Sequence, residues 1–117
     1  MRPTFQETLR RLAIADRRLV AELLVDDPAA TDRSDLDARS LTIARVAALV
    51  AHGGSAQTFR STIGDALEAD VTPDEIVGVV LATAPVLGIT TIVDVASKVA
   101  LALDYDVDGA LEALEPP

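Results

Sequence analysis

Thr72-Pro73-Asp74-Glu75, with Ile76 behind it, is the stretch that decides how this chain is read. Thr72 suits an N-cap. Pro73 falls at the first helical position, where its missing N–H costs nothing. Glu75 falls at N3, where its carboxylate reaches back to close a capping box. The spacing predicts a helix from Pro73 to about Ala84, with Pro85 and Gly88 as punctuation. A further helix follows from about Thr90 to Leu103, with Asp94 and Lys98 paired at i,i+4. Ile76–Thr83 and Val86–Val93 are rich in β-branched residues, which favour strands. The capping box fixes a helix start, and no turn signals bracket strand-length pieces. The α/β reading therefore gives way to an all-α one.

The same region raises a second question. The 18 residues from Ile76 to Val93 carry no charge, which reaches the lower length limit for a membrane-spanning helix. Asp74, Glu75 and Asp94 flank the run where Lys or Arg would be expected, and Pro85 and Gly88 divide it. Two helices buried in the fold or at a subunit interface fit better than a span.

Upstream, Asp37 opens a helix whose Leu41–Ala51 part is apolar nearly all round, which places it at the centre of the fold. Gly53-Gly54 ends it, and Ser55 caps the next helix. That helix has Ala56, Phe59, Ile63, Ala66 and Leu67 on one face. Thr4 to Glu7 forms another capping box, with Phe5, Leu9 and Leu12 at helical spacing. Asp16 can cap a second piece bearing Leu19, Val20, Leu23 and Leu24. Residues 4 to about 24 are thus two short helices or one bent one. Asp26–Asp35 reads as a loop. At the other end Asp108 is expected to cap a short last helix carrying Leu111 and Leu114. The expectation is a single all-α domain over residues 1–117, of about six helices.

Composition excludes several chemistries. The chain of 117 residues is one-domain length and has no cysteine, which removes disulfides, thiolate catalysis, Fe–S clusters and cysteine–zinc sites. Ten basic residues against nineteen acidic ones give a net charge of −9, which argues against nucleic acid or anionic membrane surfaces as partners. Aromatic residues are 3%, so the core must be aliphatic. The first residues show no apolar signal-peptide segment, and a cytoplasmic location is expected. No cofactor is implied.

Few residues remain to carry chemistry. His52, the single histidine, falls at a helix C-terminus, where an imidazolium is favoured. It is a helix-end residue or a general base. Arg45 lies in an apolar helix, where it either pairs with an acid or anchors an anionic ligand. Ser55, Thr58 and Thr62 share one helix face, as a cap with polar surface or as hydrogen-bonding groups for a small ligand. Asp104, Asp106, Asp108, Gly109 and Glu115 match the calcium-loop pattern. Only Pro116-Pro117 follow, so the exiting helix such a loop needs is missing and no metal is expected.

Leu36-Asp37-Ala38-Arg39-Ser40 opening the central helix, Ala66 through Ile76 turning into the next, and Ala84-Pro85-Val86-Leu87-Gly88 later on together resemble the carboxymuconolactone decarboxylase family, in the superfamily shared with alkyl hydroperoxidase D. The likeness covers about residues 36–103. The first 25 residues and the Leu103–Asp108 tail look like a cysteine-free bacterial branch. The resemblance implies an all-helical fold and homo-trimers or hexamers. Its peroxidase members use a Cys-x-x-Cys pair and a histidine four residues on, which correspond here to Ser55, Thr58 and Thr62. Decarboxylase members use a histidine near the same place, again Thr62. A hydroxyl cannot form a disulfide and is too weak an acid to attack without an adjacent base. Between Asp37 and Asp65 there is no acidic residue to serve as that base. The resemblance thus implies a protein without peroxidase or decarboxylase activity, structural or small-ligand-binding. The alternative is a cofactor-independent enzyme acting on a small organic acid at a rebuilt pocket.

Overall fold

The computed structural model describes residues 3–24 and 33–114. Among these are seven helices and no strand: α1 (Phe5–Ala13), α2 (Arg17–Leu23), α3 (Ala38–His52), α4 (Ala56–Glu68), α5 (Pro73–Leu87), α6 (Ile89–Ala102) and α7 (Val107–Leu114). The all-α reading holds, and no helix is long and apolar enough to cross a membrane among the described residues. Contacts divide the chain into two compact units, residues 1–35 and residues 36–117. Most of the loop expected over Asp26–Asp35, and Glu115 of the calcium pattern, lie outside the described residues.

Local chemistry starts the helices. The side chains of Thr4, Asp16, Asp37, Ser55 and Thr72 each accept a hydrogen bond from the backbone N–H three residues on. Thr72 and Glu75 form the full reciprocal capping box. Helix ends follow a second rule. α1, α4 and α6 close in Schellman turns, with Ala15, Asp70 and Asp104 in the left-handed region at φ 52°, 66° and 57°. In α4 the Val71 N–H reaches Ala66 and the Asp70 N–H reaches Leu67, which folds the apolar Val71 back into the core.

In the larger unit, α3 packs on α4, α5 and α6, while α6 also packs on α4 and α5. Val46, Val50, Phe59, Ile63, Ala66, Ile76, Val80, Val95 and Val99 interdigitate there. Phe59 is the one aromatic among them, in keeping with the composition. Burying such side chains contributes about 1.5–3 kcal/mol each before entropy is counted. In the smaller unit α1 packs against α2, and Leu19 is the one buried side chain among its described residues.

Two local expectations need correction. α5 does not stop at Ala84 but runs through Pro85 to Leu87. Proline deprives the Leu81 carbonyl of its partner, yet both residues are exposed, so water can serve that carbonyl. The last turn is then closed by the Gly88 N–H on Ala84 at 2.9 Å. Gly88, at φ 87°, is both the end of α5 and the start of α6. Finally, α7 is capped by Asp106, not Asp108: the Gly109 N–H donates to Asp106 Oδ1 at 3.0 Å, and Asp108 falls inside the first turn.

Candidate functional site

The face singled out from the sequence surrounds the turn between α3 and α4. α3 ends at Gly53, φ 85°, whose N–H donates to the Leu49 carbonyl at 2.7 Å. Ser55 then starts α4. Its Oγ accepts from the Thr58 N–H at 3.1 Å and lies 3.0 Å from Thr58 Oγ1, so the two hydroxyls are engaged with each other and with the cap. Thr62 is half-buried one turn further on. No carboxylate approaches these hydroxyls among the described ion pairs and hydrogen bonds, and neither oxygen has a base to activate it.

His52 and Arg45 are exposed. Arg45 therefore needs no buried counter-ion, because its guanidinium stays in water. Neither is brought to the hydroxyl row by a described contact. Lys98 is brought near it, and the spacing rule had assigned that residue elsewhere. Its Nζ donates to the Gly54 carbonyl at 2.6 Å and stands 5.7 Å from the centre of the Phe59 ring. Contact with Asp94 is absent among the described ion pairs. Lys98 is half-buried, and it is the one basic residue C-terminal to Arg60. That rarity was the available signal: a lone cation in an apolar helix calls for a specific acceptor.

Two carboxylates are held ionised by local geometry. The Leu19 N–H bonded to Asp16 lowers that residue's pKa, with Arg11 at 3.3 Å helping. The Ser40 backbone and side chain lower that of Asp37. Both are helix caps. Among the described residues no group of three or more His, Cys, Asp or Glu is placed to hold a metal ion. Asp104 and Asp106 of the calcium pattern are taken up by the turn between α6 and α7.

Concave surface lies elsewhere. In the larger unit a groove of about 430 Å³ runs between α5 and α6, with Val77, Val80, Ala96, Val99, Leu103 and Tyr105 on its walls. In the smaller unit a wider groove of about 1080 Å³ is lined by Phe5, Leu9, Leu19 and Leu23, with two arginines, Arg11 and Arg33, and two carboxylates, Glu22 and Asp35. Ser55, Thr58 and Thr62 line neither. No protein-family model, curated protein or solved structure matches this chain.

Proposed function

We propose that the protein is a cytoplasmic, homo-oligomeric helical protein, trimeric or hexameric, of the carboxymuconolactone decarboxylase-like kind but without peroxidase or decarboxylase activity. Its role is structural. One observation carries the reading. At the two places the resemblance assigns to the redox cysteines, the Ser55 and Thr58 hydroxyls are 3.0 Å apart and closed into a helix cap. They are spent on holding α4, with neither base nor thiol beside them. Exposed apolar side chains support assembly: Leu81, Val86, Ile89 and Val93 are 67%, 83%, 71% and 63% exposed, along α5 and α6.

Two measurements test this. The purified chain should not turn over organic hydroperoxides with any dithiol reductant, and light scattering should give a multiple of the chain mass at micromolar concentration. Peroxide turnover would overturn the loss of activity. A monomer mass would overturn the assembly.

Lys98 favours a second reading, a pocket for a small organic acid beside the hydroxyl row. Its ammonium reaches the carbonyl of the residue adjoining Ser55. Calorimetric titration with short carboxylates, repeated on Lys98→Met, distinguishes the two. Heat of binding abolished by that substitution would favour the pocket.

A further inference from the structure

We draw no further inference here: the strongest candidate, the apolar groove between α5 and α6 with Val77, Val80, Val99 and Tyr105 on its walls, carries nothing because nothing in the structure shows what covers it.

Discussion

The Lys98 ammonium lies 2.6 Å from the Gly54 carbonyl, 44 residues earlier in the chain, and bridges α6 to the turn that launches α4. The acceptor is a backbone group in a tight connection, so the bond fixes the turn as well as the lysine. Lys98→Met keeps the aliphatic stem and removes the donor and the cation over Phe59. Loss of about 1–3 kcal/mol in urea unfolding is expected, from a charged hydrogen bond plus a modest cation–π contribution. An unchanged midpoint would show that the bridge adds nothing to the native state.

Glu75 has two duties. One carboxylate oxygen closes the capping box on the Thr72 N–H, and the other pairs with Arg39 of α3. Both partners of the ion pair are well exposed, so Glu75→Gln, which retains the cap, should cost less than about 1 kcal/mol. Thr72→Ala removes the main cap and should cost about 0.5–2 kcal/mol. Thermal melts of both variants side by side would show the order, and a larger loss from Glu75→Gln would reverse it.

Asp106→Ala should lower stability by about 0.5–2 kcal/mol, because it uncaps α7. Asp104→Ala should cost little, since that residue serves its turn through its backbone. Far-ultraviolet circular dichroism through a melt separates them, and equal effects would argue against Asp106 as the cap.

Acid should weaken both units through their caps. Asp16 and Asp37 have pKa values below the ordinary carboxylate value in the folded chain. A depressed folded pKa gives stability that is present above the unfolded value, about 4, and is lost as pH falls through the folded one. Asp37→Asn can still cap, so it should behave like the parent at neutral pH and show a shallower loss as pH falls below the ordinary carboxylate value. A loss as steep as the parent's would clear Asp37 of the effect.

Where side chain and backbone are three residues apart, the sequence was readable. Thr4, Asp16, Asp37, Ser55 and Thr72 start their helices as their types suggest. The last cap was ambiguous because aspartates alternate at 104, 106 and 108. The choice depends on where α6 ends, and Asp104 takes the left-handed position of that ending. Pro85 misled for a related reason: an exposed final turn tolerates a proline that a buried one would not. Lys98 was least legible. The i,i+4 rule offered Asp94, whereas the bond it makes spans the fold, and no local pattern records a partner that distant. Of the candidate site residues, Ser55 and Thr58 meet as their spacing implied, while nothing in the sequence showed whether Arg45 faced inward or outward.

The single-residue joint at Gly88 has a consequence for how this chain can vary. α5 ends at Leu87 and α6 begins at Ile89, so nothing between them can absorb slack. Each residue advances a helix by about 100°. One residue inserted or deleted at the joint would turn α6 like a screw driven a quarter-turn too far, swinging Val95 and Val99 away from the interior they now fill. The angular phase of α6, and with it the floor of the groove, is therefore set by chain length at one position. Substitution there is limited by backbone shape, but insertion is limited by arithmetic.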